Sequence, residues 1–127
     1  MKNNLLKIRS FIFLMSILFV TTNCTDEDPV EKLEKDLVCG VADPVSNLKW
    51  LNDQFKEFIG GPEANGIVLY DYNDKQVIEV QNSFYNSTNQ HQYYCNGEKL
   101  NLDDPQAFNE FKNKRIEVKM LYGNKVW

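Results

Sequence analysis

One histidine, His91, is the main candidate for acid–base chemistry in this chain. It lies in a polar segment, residues 82–92, together with Ser83, Ser87 and Thr88. A serine nucleophile needs a positioned histidine and an oxyanion hole, and the sequence contains neither a Gly-x-Ser-x-Gly elbow nor an oxyanion loop. We therefore predict no catalytic residue of this kind.

Acidic residues are the second possible source of chemistry, because two suitably spaced carboxylates can hydrolyse glycosidic bonds. The candidates are Asp71, Asp74, Glu79, Asp103 and Asp104. Each also has a structural interpretation, as a turn residue, a solvent-facing strand residue or a helix cap. The segment from Asp71 to Asp74 lacks the glycine and distal glutamate of a calcium loop, and we predict no metal site and no cofactor.

Aromatic side chains are the enrichment most relevant to binding. Tyrosine combines an apolar ring with a polar tip, which suits it to protein or sugar surfaces. We take as the candidate binding surface Tyr70, Tyr72, Tyr85, Tyr93 and His91, with Tyr94 nearby. The alternative is that tyrosine is simply a good strand residue.

The first 23 residues have the pattern of an export signal. They carry Lys2, Lys7 and Arg9, then an apolar run over residues 10–20 that is too short for a membrane span. Cys24 follows directly, and the segment resembles a bacterial lipoprotein signal, in which the cysteine is acylated and becomes the first mature residue. The alternative is ordinary secretion, with Cys24 discarded or left free.

Residues 24–38 predict an acidic tether, because they hold too few apolar side chains to build a core. As flexible coil they would span about 20 Å. The acids just after Cys24 are similar to those of Bacteroidota lipoproteins exported to the cell surface. Without the signal the chain carries 11 cationic and 18 acidic residues, and this balance argues against a nucleic-acid partner.

Residues 39–127 predict a single domain. A stripe of apolar residues (Leu48, Leu51, Phe55, Phe58, Ile59) predicts one long helix, capped by Ser46 or Asn47 and ended by Gly60-Gly61-Pro62. Asn73-Asp74 predicts a hairpin in which Tyr72 pairs with Lys75, and Asn96-Gly97 predicts a second hairpin. Asp104-Pro105 predicts a short helix, and the last strand follows from residue 116.

This order predicts an α+β fold. One long amphipathic helix packs on a curved antiparallel sheet of about four strands, with a short second helix before the last strand. The aliphatic side of the first hairpin should meet the helix, and the tyrosine-bearing side should be exposed. If Cys24 is acylated, Cys39 and Cys95 remain as an even pair in an oxidising compartment, and we predict a disulfide between them.

The segment Cys39-Gly40-Val41-Ala42-Asp43-Pro44, then Trp50-Leu51 and Cys95-Asn96-Gly97, resembles an uncharacterised family of small Bacteroidota cell-envelope lipoproteins. The resemblance implies a lipid anchor in the outer membrane, on its periplasmic or its surface-exposed face, and it implies no activity. We expect a non-catalytic binding module for an envelope or extracellular protein or glycan, with enzyme inhibition as one version. The alternative is an envelope glycan hydrolase that uses acidic residues.

Overall fold

The structure, a computed structural model, describes residues 36–127. The predicted signal segment 1–23, the predicted lipidation site Cys24 and nearly all of the tether 24–38 lie outside the described residues. Val38, which the sequence assigns to the tether, is buried in the domain and pairs with Val41. Val38 therefore packs with the domain that the sequence predicts over residues 39–127.

One antiparallel sheet forms the centre of the described chain. Its strands are β1 (Asn65–Tyr72), β2 (Lys75–Asn82), β3 (Gln92–Tyr94) and β4 (Ile116–Gly123), in the order β3-β2-β1-β4. The register of the first hairpin is confirmed, since Tyr72 pairs with Lys75. Asn73 and Asp74 form the turn with φ angles of 50° and 59°. Asn and Asp tolerate this left-handed region better than most residues.

The prediction of one long helix packed on the sheet is wrong. The helical region consists of two short pieces, α1 (Pro44–Asn47) and α2 (Lys49–Lys56), separated at Leu48, whose φ of −87° and ψ of 108° are extended. Asn47 turns its side-chain amide back to the carbonyl of Ala42 at 2.6 Å, a local bond that competes with helix continuation. The apolar periodicity is real, but it does not reveal this break.

The start and end of the helical region also differ from the prediction. Asp43 caps α1 in place of Ser46 or Asn47, and its carboxylate accepts a hydrogen bond from the Ser46 amide at 3.4 Å. At the other end the chain leaves the helix after Lys56, before the predicted Gly60 stop. Ile59 is therefore off the helical stripe and exposed to solvent.

The first face of the sheet carries the predicted aliphatic core. Ile67, Leu69, Ile78 and Val80 are buried there together with Leu51 of α2. Phe55 packs edge-on against Tyr122 of β4, with ring centroids 4.8 Å apart. The docking of α2 by this side of the helix is as the sequence predicts.

The second face of the sheet is covered, and the expectation that it is exposed is wrong. Helix α3 (Pro105–Lys114) lies on this face, capped as predicted by Asp104, which accepts from the Ala107 amide at 3.2 Å. Phe111 of α3 is fully buried and contacts the rings of Tyr70 and Tyr72. The domain is a four-stranded antiparallel sheet with short helices on both faces.

The predicted second hairpin is present but short, and its returning chain donates the Leu100 amide to the Gln92 carbonyl of β3 at 2.9 Å. Gly97 donates its amide to the Tyr94 carbonyl at 2.9 Å, but the returning chain forms a single isolated bridge, between Tyr93 and Lys99. Leu100 then turns into the core beneath α3 and leaves the sheet. β4, at the opposite edge, has two register shifts against β1, and such bulges hinder pairing with a further strand.

Candidate functional site

Two buried asparagines organise the loops at one end of the first hairpin. Asn65 and Asn82 face each other across β1 and β2, and the Asn82 side-chain nitrogen donates to the Asn65 side-chain oxygen at 2.5 Å. The Asn65 side-chain nitrogen points at three backbone carbonyls, those of Ile59, Gly60 and Gly61, at 2.9–3.1 Å. This amide pair therefore ties the α2–β1 loop to the hairpin.

The same pair also fixes the segment that follows β2. The side-chain oxygen of Asn82 accepts a hydrogen bond from the Phe84 amide at 2.8 Å, and the backbone carbonyl of Asn82 accepts one from the Tyr85 amide at 3.0 Å. Such an Asx turn defines the direction in which Phe84 leaves the domain. The loops on both sides of the pair are consequently held in one arrangement.

Ile59 and Phe84, which these loops carry, are the most prominent apolar side chains at this end of the domain. They are 72% and 67% exposed. They border a hollow of about 330 Å³, which we call the loop hollow, lined by Gln54, Glu57, Phe58, Ile59, Asn82, Phe84 and Tyr85. Its volume is at the small end of the range of about 300–1,000 Å³ found for ligand pockets.

Tyr85 and His91, both predicted surface residues, form one stacked pair beside this hollow. Their ring centroids are 3.8 Å apart and their planes differ by 13°. Burial, followed by the charge of Lys99, lowers the pKa of His91, while burial raises the pKa of Tyr85. His91 is thus favoured in its neutral form and occupies one face of the Tyr85 ring.

The remaining predicted surface tyrosines do not form an exposed face. Tyr70 is 1% exposed and Tyr93 is 7% exposed. They belong to opposite sides of the sheet, Tyr70 against Phe111 and Tyr93 against Trp50, and Tyr72 is half-buried beside Phe111. The structure therefore brings together only Tyr85 and His91 from the predicted set.

Glu79 is buried, although the sequence analysis places it on the solvent side of its strand. Its carboxylate accepts from Arg115 at 2.9 Å and from the Gln92 side-chain nitrogen at 2.7 Å. Gln81 and the indole of Trp127 add longer bonds of 3.2 and 3.3 Å. The acid is therefore occupied in an internal network and is not available to a ligand.

The ring of Tyr70 lies against this network, with the Arg115 guanidinium 4.3 Å from its centroid. Its hydroxyl is the one buried side-chain polar atom without a hydrogen bond within residues 36–127. Burial, followed by the charge of Glu79, raises its pKa. Tyr70 is therefore a neutral phenol in the core of the second face.

Of the other candidate acids, two have structural roles and two line an open hollow. Asp104 caps α3, and Asp103 accepts a hydrogen bond from Gln90. Asp71 and Asp74 line a hollow of about 580 Å³ together with Lys114. Within the described residues no group of three or more His, Cys, Asp or Glu side chains is arranged to hold a metal ion.

Cys39 and Cys95 lie at the other end of the hairpin. Their sulfurs are 2.08 Å apart, the distance of the predicted disulfide. Cys39 and Gly40 form a two-residue turn with φ angles of 54° and 77°, and the Cys39 amide donates to the Gln76 side chain at 2.6 Å. A hollow of about 480 Å³ opens beside Cys95. The polypeptide from the predicted tether enters the domain here.

Comparisons with protein-family models, with curated proteins and with solved structures yield no match to this chain. Among residues 36–127, no helix has the length and apolar character needed to cross a membrane.

Proposed function

We propose that the chain is a cell-envelope protein, lipid-anchored at Cys24, whose domain is a non-catalytic binding module for another polypeptide. The observation that carries the binding role is the exposed pair Ile59 and Phe84. Both side chains line the loop hollow, and exposed apolar side chains grouped around one hollow mark interaction sites more often than scattered ones do. The buried amide pair holds both loops in place, which reduces the conformational entropy lost on binding.

A polypeptide fits the loop hollow better than a glycan does. Ile59 is aliphatic and offers neither a flat ring nor a hydrogen bond to a sugar. Phe84 and Tyr85 offer rings for a sugar to stack on, but Phe84 has no polar group to hydrogen-bond a sugar and one face of Tyr85 already stacks on His91. An apolar side chain of a partner protein would instead bury Ile59 and Phe84 together, as anchor residues do at protein interfaces.

Site-specific photo-crosslinking in cells tests the binding role. A photoreactive residue replaces Phe84 in one variant and Ile116 in the control, since Ile116 is exposed to nearly the same extent (68%) but lies on β4. We expect a discrete crosslinked species at position 84 and none at position 116. The crosslinked protein is then identified and its complex reconstituted from purified components. No crosslink at 84, or equal crosslinking at both positions, contradicts the proposal.

The anchor at Cys24 is supported by the apolar run that ends just before it and by the polar spacer that follows. Cys24→Ser should move the protein from the membrane to the soluble fraction, because the acyl chains supply about 0.8 kcal/mol of membrane affinity per buried CH₂. Ser16→Ala, within the apolar run, serves as the control and should stay membrane-bound. A Cys24→Ser variant that remains in carbonate-washed membranes would show that the lipid anchor is wrong.

The hydrolase alternative depends on one observation, that Asp71 and Asp74 line the same hollow. Paired carboxylates of glycosidases lie about 5–9.5 Å apart. Purified protein is incubated with envelope glycans, and released reducing ends are measured for the wild type and for Asp71→Asn/Asp74→Asn. Activity that disappears in the double variant would favour the enzyme over the binding module.

A further inference from the structure

We infer that the partner inserts an apolar side chain into the loop hollow and places a cationic side chain beside it, next to Glu57. This inference depends on the proposed binding function and specifies the chemistry of its partner. It follows from the distribution of charge around the loop hollow and from the position of that hollow in the domain.

Glu57 is the one charged residue that lines the loop hollow. Within residues 36–127 it forms no salt bridge, whereas Asp53, four residues earlier in α2, pairs with Lys49 at 2.5 Å. The Lys49 bond and its charge, with a smaller contribution from Lys56, lower the pKa of Asp53. The nearest lysines along the chain thus act on Asp53, and the carboxylate of Glu57 is left for a partner.

The opposite wall of the loop hollow adds no positive charge. It belongs to residues 81–92, a stretch of twelve residues with no Asp, Glu, Lys or Arg and with a histidine that is favoured in its neutral form. Four of the seven residues that line the hollow are aromatic or aliphatic, and the lining carries one negative charge and no positive charge. A partner that offers a hydrophobic residue flanked by Lys or Arg matches both properties.

The position of the loop hollow places this partner away from the point at which residues 36–38 lead into the domain. The disulfide and Gln76 hold the incoming chain at one end of β2, and Asn82 lies at the other end. Asn82 lies six residue steps along β2 from Gln76, or about 20 Å at 3.4 Å per residue. The occupant therefore approaches from the side opposite the chain's entry, which suits a separate protein better than the anchoring lipid surface.

Two matched peptides test the inference by NMR titration of the Cys24→Ser protein. One is acetyl-Gly-Lys-Leu-Lys-Gly-amide, and the other carries glutamates in place of the lysines. We expect the lysine peptide to shift the backbone amides of residues 57–60 and 83–86 and to bind about two- to fivefold more tightly, the range of an exposed charge pair. The difference should shrink at high salt.

Two substitutions separate the charge from the apolar contact. Glu57→Gln should remove the preference between the peptides while both still bind. Phe84→Ser should abolish binding of both peptides. Glu98→Gln changes a carboxylate in the hollow beside Cys95 and should leave both affinities unchanged. Equal affinities for the wild type, a preference that persists in Glu57→Gln, or shifts confined to residues 71–76 would overturn the inference.

The remaining outcomes distinguish other occupants. Shifts of the same amides on adding an N-acetylglucosamine oligosaccharide would identify a glycan site, and concentration-dependent shifts without peptide would identify a second copy of this chain. Either result contradicts the inference. Crosslinking at position 84 together with equal peptide affinities would preserve the binding function and reject only its charge preference, whereas failure of both experiments would reject both.

Discussion

Replacing Asn65 with alanine should destabilise the domain and disorganise the loop hollow at the same time. Asn65 is completely buried, and its amide nitrogen faces the carbonyls of Ile59, Gly60 and Gly61. The two N–H groups of that nitrogen are shared among three acceptors, and its oxygen accepts one bond from Asn82. The substitution thus removes the equivalent of three hydrogen bonds.

The expected cost is about 3 kcal/mol, from about 1 kcal/mol for each bond. This is a large fraction of the roughly 5–15 kcal/mol that stabilises a typical domain. Asn65→Asp is a sharper test, since it keeps the shape of the side chain but presents oxygen where the three carbonyls require a donor. It should cost at least as much as alanine.

Urea denaturation measures the free energy of unfolding of both variants, with Asn109→Ala as the control. Asn109 lies exposed on α3, and its replacement should change the stability by no more than about 0.5 kcal/mol. Crosslinking at position 84 should also weaken in Asn65→Ala, because the loops lose their tie. A loss below about 1 kcal/mol, or undiminished crosslinking, would refute the argument that the buried amides organise this site.

Three further predictions concern the core and its polar groups. Phe111→Ala should cost about 3–5 kcal/mol in urea denaturation, because it leaves a cavity beneath α3, and a loss under 1 kcal/mol would mean that α3 does not cover the second face. Arg115→Leu should cost about 3–5 kcal/mol, since it leaves the buried carboxylate of Glu79 without its ion-pair partner, and thermal unfolding at a Tm equal to that of the wild type would contradict this. The pKa of His91 is lower in the folded protein than in the unfolded chain, so the unfolded chain binds a proton at His91 more readily. The stability of the wild type relative to His91→Gln should therefore decrease as the pH falls below about 6.5 and then level off. A stability difference that does not change between pH 7.5 and pH 5 would rule out the burial of a neutral His91.

The features that the sequence predicts correctly are encoded locally. The turn at Asn73 and Asp74 uses two residues that accept positive φ, and this alone sets the register of the hairpin. Asp104 followed by Pro105 marks the start of α3, because the capping residue and the first helical residue are adjacent in the sequence. Alternation along each strand then identifies the aliphatic face.

Two of the errors arise where distant parts of the chain meet, and a third is local. Phe108 and Phe111 predict that α3 has an apolar side, but not which face of the sheet it covers. Glu79 reads as solvent-facing because its partner Arg115 is 36 residues away. The break at Leu48 depends on a side-chain bond of Asn47, which apolar periodicity does not register.

The register of the first hairpin also predicts the amide pair at the candidate site. Once Tyr72 is paired with Lys75, seven further steps along each strand place Asn65 opposite Asn82. Two asparagines facing each other at the end of an otherwise apolar hairpin indicate a buried amide pair, because such groups persist in a core only when hydrogen-bonded. Ile59 and Phe84 could not be recognised as exposed neighbours without the loops that the pair holds.

A single hairpin joins the two regions on which the proposed function depends. At its turn end, the disulfide and Gln76 fix the point at which the chain enters the domain. At its open end, Asn65 and Asn82 fix the loops that carry the exposed apolar pair. β1 and β2 are the central strands of the sheet and are buried on both faces along most of their length, so their paired backbones set the distance between these two regions. The point of chain entry and the proposed binding surface therefore lie at opposite ends of the same hairpin.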